Sequence, residues 1–279
     1  MKNHPTTNKM LKAYEDIEFL KSDDCRPVRL QLELLKPDVV MRRENVLSTI
    51  VLMGSARQPS PELAEKEVAR ARAKLEANPE SDEFRRQLVV AEAMREQSRY
   101  YTVARDFAEL VTRHGQRDGE HHYVITTGGG GGIMEAGNRG AHDAGGKSVG
   151  LNISLPFEQV PNAYISKELC FMFHYFSVRK MHFMMRAKAL CAFPGGFGTM
   201  DEVFEALTLI QTRKIERIPI VLFGKDFWEK IIDWQMFVDR GLISPEDIDI
   251  FHVCERAAEA WEFIQEFWTN GMEGVHREV

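Results

Sequence analysis

Ala189-Leu190-Cys191-Ala192-Phe193 runs into Pro194-Gly195-Gly196-Phe197-Gly198-Thr199-Met200-Asp201-Glu202, and Val203 to Ile210 leads out with a helical pattern. The order is buried strand, glycine turn, helix. Such a turn gathers backbone N–H groups at the positive end of a helix, which favours an anion. Gly195, Gly196 and Gly198 leave room for a phosphate, and Thr199 offers a hydroxyl. Two readings of the following acids stand side by side. Thr199-x-x-Glu202 has the spacing of a capping box that satisfies helix N–H groups and does no chemistry. Alternatively, Glu202 is a carboxylate set beside the sugar of a bound nucleotide. Asp201 points about 100° away from Glu202 on a helix and reads as a partner of the helix dipole.

Working outward, Tyr123-Val124-Ile125-Thr126 is a second strand, followed by Thr127, five glycines from Gly128 to Gly132, and a helix from Ile133. Gly129, Gly130 and Gly131 are thus candidate ligand contacts, and Glu135 is a candidate second acid or a plain helix-start glutamate. No GxGxxG fits these residues, because Ile133, Met134 and Glu135 stand where its last glycine belongs, so a nicotinamide or flavin is not supported. Gly146-Lys147-Ser148 imitates a P-loop, yet Ala141 replaces its first glycine and a strand follows it. An earlier run, Thr49-Ile50-Val51-Leu52-Met53, ends in Gly54-Ser55-Ala56-Arg57, which makes Ser55 and Arg57 binding candidates at a strand's carboxyl end. Further strands are expected at 149–151, 218–224 and 248–253, with helices over 226–240 and 257–268. Strands alternating with helices predict an α/β fold, a mostly parallel sheet with helices on both faces. Both glycine turns then share one crevice.

Residues 1–46 read as an N-terminal extension packing on the domain or on a partner, with an amphipathic stretch at Val28–Leu35. The remaining chain, 47–279, reads as one nucleotide-binding domain. Within it, residues 61–100 form an inserted helical hairpin, broken at Asn78-Pro79-Glu80-Ser81-Asp82, whose second helix runs on to about Arg113. The aromatic run Phe171–Phe176 is expected in the core or at a subunit interface. Arg179 and Lys180 open the helix that precedes the strand at 189–193.

The bulk numbers exclude several classes. The chain has 279 residues, is 44% hydrophobic and 28% charged, and carries a net charge of −6, with no basic stripe for nucleic acid. No stretch has the roughly 18 apolar residues of a membrane span, and the N-terminus lacks an apolar signal core, so a cytoplasmic protein is expected. Cys25, Cys170, Cys191 and Cys254 form no CxxC pair and read as reduced, buried thiols. His174 and His182 show no metal-ligand spacing.

With these pieces in place the chain resembles the LOG ("Lonely guy") family of phosphoribohydrolases, long mis-described as lysine decarboxylases. The family signature PGGxGTxxE matches every fixed position from Pro194 to Glu202, and its upstream Arg-Lys pair matches Arg179 and Lys180. The turns at Gly54–Arg57 and Gly128–Glu135 resemble the long bacterial branch. The resemblance covers about residues 48–268; the extension and the hairpin depart from the short plant-type members. It implies a modified Rossmann fold, a homodimer or larger homo-oligomer, and neither pyridoxal phosphate nor metal. The implied activity is cleavage of the N-glycosidic bond of a purine nucleoside 5′-monophosphate, AMP or an N6-modified, cytokinin-type AMP, to free base and ribose 5-phosphate. Glu202 and Arg179 would carry the reaction, and Lys180 would join the phosphate contacts. The alternative is a non-catalytic nucleotide or molybdenum-cofactor carrier on the same fold, which has no need of a carboxylate facing an anionic ligand. A DNA-processing relative is disfavoured by the charge, and a decarboxylase by the lack of a lysine in a Schiff-base context.

Overall fold

The computed structural model describes residues 11–117, 119–156 and 160–275, with side chains to residue 270. Residues 1–10 of the extension, and Phe157 to Gln159, lie outside them.

The extension contributes α1 (Ile17–Lys21) and α2 (Arg26–Arg43), and α2 packs on the domain's helix Phe176–Met185. Its amphipathic stretch is only partly used: Leu30 meets the core, whereas Val28, Leu32 and Leu35 stay exposed. Next come β1 (Thr49–Met53), α3 (Pro61–Ala77), α4 (Asp82–Gln97) and α5 (Arg99–Gly115). Here the expected hairpin is corrected. Its second helix ends at Gln97, and Ser98 separates it from α5, a sheet-packing helix that buries Tyr101, Ala104, Phe107, Ala108 and Val111. α3 and α4 pack chiefly on each other.

A small antiparallel ribbon, β2 (Gln116–Arg117) and β3 (Glu120–His121), precedes β4 (Val124–Thr127), α6 (Ile133–Asp143) and β5 (Ser148–Ile153). The aromatic run forms an unexpected strand, β6 (Cys170–Phe173). Phe171 and Phe173 face inward, and Cys170 and Met172 outward, so Cys170 is an exposed thiol rather than a buried one. The chain continues through α7 (Phe176–Met185), β7 (Ala187–Ala192), α8 (Phe197–Gln211), β8 (Ile220–Phe223), α9 (Lys225–Ile231), α10 (Trp234–Asp239), β9 (Phe251–Cys254) and α11 (Ala257–Val275). Two more boundaries differ from expectation. The helix expected over 226–240 breaks at Ile232, where the backbone is extended and Asp233 caps α10 by accepting from Met236 N. The last strand starts only at Phe251, because Pro245–Ile250 is a 3₁₀ turn closed by a Ser244–Asp247 capping box.

The main sheet has the order β6-β5-β4-β1-β7-β8-β9, and every pairing in it is parallel. β1 shows why it is covered on both faces. Ile50 and Leu52 join the core under α5, α6 and α11, while Val51 and Met53 join the core under α7, α8 and α9. This is the period-two alternation of a strand buried twice. From β1 the chain steps outward through β4, β5 and β6, then crosses back to β7 on the other side of β1. That reversal opens a crevice at the carboxyl ends of β1 and β7. The register places Met53 beside Ala192 and Val51 beside Thr126, so the turns after all three strands meet at one edge.

Candidate functional site

The turn after β1 stitches the two glycine turns together. Ser55 N donates to Pro194 O at 3.1 Å, Ile133 N donates to Ser55 O at 3.1 Å, and Ser55 Oγ accepts from Arg57 N at 3.1 Å. The packing leaves no room for side chains there. Gly132 has φ +66°, and a Cβ on it would strike Ser55 O and come within 2.7 Å of the Ala56 carbonyl carbon. A Cβ on Gly195 would sit 2.7 Å from Thr199 Cβ and 3.1 Å from Ser55 N. Gly196 and Gly198 are different: both are exposed, and a Cβ on either meets nothing within 4 Å. Packing in this structure therefore does not require glycine at those two positions.

The expectation of two uses for Thr199-x-x-Glu202 is resolved here. α8 begins on Gly196, with no side-chain cap, so Thr199 lies inside the first turn and no capping box forms. α6 likewise begins on Gly132 without a side-chain cap, in contrast to α3 and α4, which start on Ser60 and Ser81. The first N–H groups of an α-helix have no partner within it, so the uncapped start of α8 presents donors to the crevice, whereas the first N–H of α6, on Ile133, is already bonded to Ser55 O.

Glu202 is thus free of capping, and it is buried, with its side chain 7% exposed. Arg179, 14% exposed, faces it with Nη2 3.7 Å from Glu202 Oε1. The guanidinium lies over the rings of Phe176 and Phe183, and a Cβ on Gly128 would come 3.9 Å from Nη1. Arg179 therefore sits between Glu202 and the second glycine turn. Its buried Nε has no partner among the described residues. Burial pushes the Glu202 carboxyl up to about 7, against the attraction of Lys180 and Arg179. Burial likewise lowers the Arg179 guanidinium, which Glu202 and Asp201 partly offset.

Other candidates are placed differently. Lys180 is not turned to the turns: its Nζ pairs with Asp201 at 2.8 Å and Glu205 at 3.0 Å, along α8. That also gives Asp201 a lysine partner in place of the expected role with the helix dipole. Glu135 accepts from the Tyr101 hydroxyl at 2.8 Å, against α5. Gly129 and Gly130 are buried, and of the three candidate glycines only Gly131 is half-exposed. Arg57 is exposed and lines a groove of about 750 Å³ between α3 and α4, which touches neither Glu202 nor Arg179. Glu202 and Arg179 lie instead beside the glycine turns at the carboxyl ends of β1 and β7. His182 is a buried structural histidine beside Glu33 O. No group of three or more potential metal-ligating side chains occurs among the described residues, and none of the described helices is long and apolar enough to cross a membrane.

The sequence reading missed the support beneath the second glycine turn. Thr127 Oγ1 donates to Asn138 Oδ1 at 2.7 Å, Asn138 Nδ2 donates to Ser148 Oγ at 3.0 Å, and Gly129 N donates to Thr127 Oγ1 at 3.0 Å. Asn162 Nδ2 donates to Gly130 O and to Asn138 Oδ1, both at 2.9 Å. Asn138 carried a usable signal, as a polar residue among the small side chains of a helix's inner face. Asn162 carried none, because its partners lie 24 to 33 residues away.

Compared with known proteins, residues 134–264 match the family model described as "Possible lysine decarboxylase". A rice protein (Oryza sativa subsp. japonica) named "Probable cytokinin riboside 5′-monophosphate phosphoribohydrolase LOGL5" is 30% identical over 121 residues, 41% of this chain and 46% of that protein, so the match spans just under half of the curated relative. Among solved structures, TM1055, a structural-genomics target, aligns over 78% of this chain and 99% of its own at 17% identity, with a TM-score of 0.48. The molybdenum cofactor carrier protein of Chlamydomonas reinhardtii aligns over 61% and 89% at 22% identity, with a TM-score of 0.44. The family match, residues 134–264, takes in both Arg179 and Glu202, and together with the rice relative it supports membership of the LOG family.

Proposed function

We propose that the chain hydrolyses the N-glycosidic bond of a purine nucleoside 5′-monophosphate, AMP or an N6-modified AMP, releasing base and ribose 5-phosphate. The observation that carries this reading is the buried Glu202–Arg179 pair beside an uncapped helix start. The open glycines Gly196 and Gly198 and the first N–H groups of α8 take the 5′-phosphate, which positions the ribose over Glu202. As the C1′–N bond breaks, its electron pair leaves with the base and positive charge builds on the ribose. The Glu202 carboxylate stabilises that charge and takes a proton from the attacking water, whose oxygen bonds to C1′. The departing base nitrogen takes up a proton from solvent, and Glu202 returns its own to solvent, so that neutral base and ribose 5-phosphate result. A carboxyl near 7 suits a general base working at neutral pH. The unpartnered Nε–H of Arg179 is a donor that a bound nucleotide can satisfy. We further read the chain as a cytoplasmic homo-oligomer; the exposed Phe176, Met181 and Met185 on α7 and Phe197 on α8 support such a contact.

The test is chromatography of AMP incubated with the full chain. Adenine and ribose 5-phosphate in equal amounts are expected. Tight AMP binding without product, repeated with N6-isopentenyl-AMP and GMP, would turn the reading to a nucleotide or cofactor carrier.

Lys180 gives a sharper check. Its ion pairs lie on α8, so Lys180→Ala is expected to change AMP affinity less than about threefold. Lys180 also draws the Glu202 carboxyl down, so its loss raises that group further. The acid limb of the kcat/KM profile should therefore move to higher pH, and an unmoved limb would detach Lys180 from Glu202.

A further inference from the structure

Helix α7 carries Arg179 but does not secure its own start: its N-cap, Tyr175, makes no side-chain capping bond. The extension supplies what is missing. Glu33, on α2, accepts from His174 N at 2.8 Å through Oε1 and from Tyr175 N at 3.1 Å through Oε2. Its carboxylate therefore also lies at the positive end of the α7 dipole. The Glu33 carbonyl meets His182 Nε2 at 3.2 Å, and Asp38, further along α2, pairs with Arg186 just past the end of α7. α2 thus grips α7 at its start, its middle and its end.

Arg179 stands one turn after this grip, its N–H bonded to Tyr175 O at 3.2 Å. Its head group is held more loosely, by the 3.7 Å approach to Glu202 and by the Phe176 and Phe183 rings. Where α7 begins therefore decides where the guanidinium meets Glu202. We propose that Glu33 is a positioning residue of the candidate active site: its bidentate clamp on the His174 and Tyr175 amides sets the seating of α7 and so the Arg179–Glu202 pair. The proposal rests on the reading of Arg179 and Glu202 as the working groups, and it makes the extension part of the site.

The test follows the Glu202 carboxyl in the full chain by carbon NMR, with no ligand added, in wild type, Glu33→Ala, Glu33→Gln, Arg179→Ala and the Glu33→Ala/Arg179→Ala double variant. Arg179 lowers the Glu202 pKa, so unseating it in Glu33→Ala should raise that pKa by at least about half a unit. Gln keeps one acceptor and should recover part of the shift. In the Arg179→Ala background, loss of Glu33 should add clearly less than it does alone, what remains passing through Lys180 on the same helix. An unchanged titration in Glu33→Ala, or a rise from losing Glu33 that is as large without Arg179 as with it, overturns the proposal. Turnover of AMP by the same proteins is a separate reading, expected to show kcat about tenfold lower in Glu33→Ala with KM within threefold. A wild-type chain that releases no adenine would fail the hydrolase reading while the titration still decides the clamp.

Discussion

Glu202→Gln is expected to lower AMP hydrolysis about 10²- to 10⁴-fold while making the protein more stable at pH 8. The first effect is the loss of the group assigned to charge stabilisation and proton transfer. The second follows from burial. In the unfolded chain the carboxyl ionises near 4.5, whereas in the native site it ionises near 7. Between those values the native state holds a proton that the unfolded state has released. Stability contributed by this group is therefore full below the unfolded pKa and declines as pH rises through the native one. The whole decline is on the order of 3 kcal/mol. A glutamine of the same shape stays neutral and escapes it. Thermal denaturation from pH 4.5 to 8 should show wild type losing stability relative to Glu202→Gln, with the difference growing across the window. A Gln variant that is less stable at pH 8 would mean that the Arg179 ion pair outweighs desolvation. Unaltered turnover would remove Glu202 from the chemistry.

Two glycine substitutions should separate scaffold from cradle. Gly132→Ala puts a Cβ against Ser55 O in a backbone with φ +66°, at the point where α6 meets the turn after β1. Strain of about 1–3 kcal/mol adds to that collision, and a Tm lower by about 10 °C, or failure to fold, is expected. Gly198→Ala adds the same methyl where nothing lies within 4 Å, in the first turn of α8. Alanine is the better helix former, so Tm should hold or rise slightly. The methyl nevertheless stands where the phosphate is proposed to bind, and AMP affinity, measured by calorimetry, should fall at least about tenfold. Wild-type affinity in Gly198→Ala would place the phosphate elsewhere. A stable Gly132→Ala would mean that the turns can separate without cost.

Local patterns made much of this protein legible. The apolar runs at 49–53, 123–126 and 189–193 and the glycine turns after two of them are read from period and turn chemistry, which depend on near neighbours. They sufficed to predict a mostly parallel sheet and to bring Glu202 forward as a candidate, whereas Arg179 came forward only through the family resemblance. Boundaries were less legible, as at Ser98 and Ile232, where a helical pattern continues through a residue that breaks the helix. Three matters were decided only by tertiary structure. Thr199-x-x-Glu202 has capping-box spacing, and only the helix starting at Gly196 frees the carboxylate. Lys180 adjoins Arg179 in sequence, yet α7 turns one towards Glu202 and the other to Asp201 and Glu205. Asn162 and Glu33 act on backbone atoms 32 and 141 residues distant, and no period links such positions. The sequence by itself determined the sheet and the chemistry of its turns, because both are written in runs of adjacent residues. The structure alone determined which charged groups face each other, because that depends on how separate helices pack over the sheet.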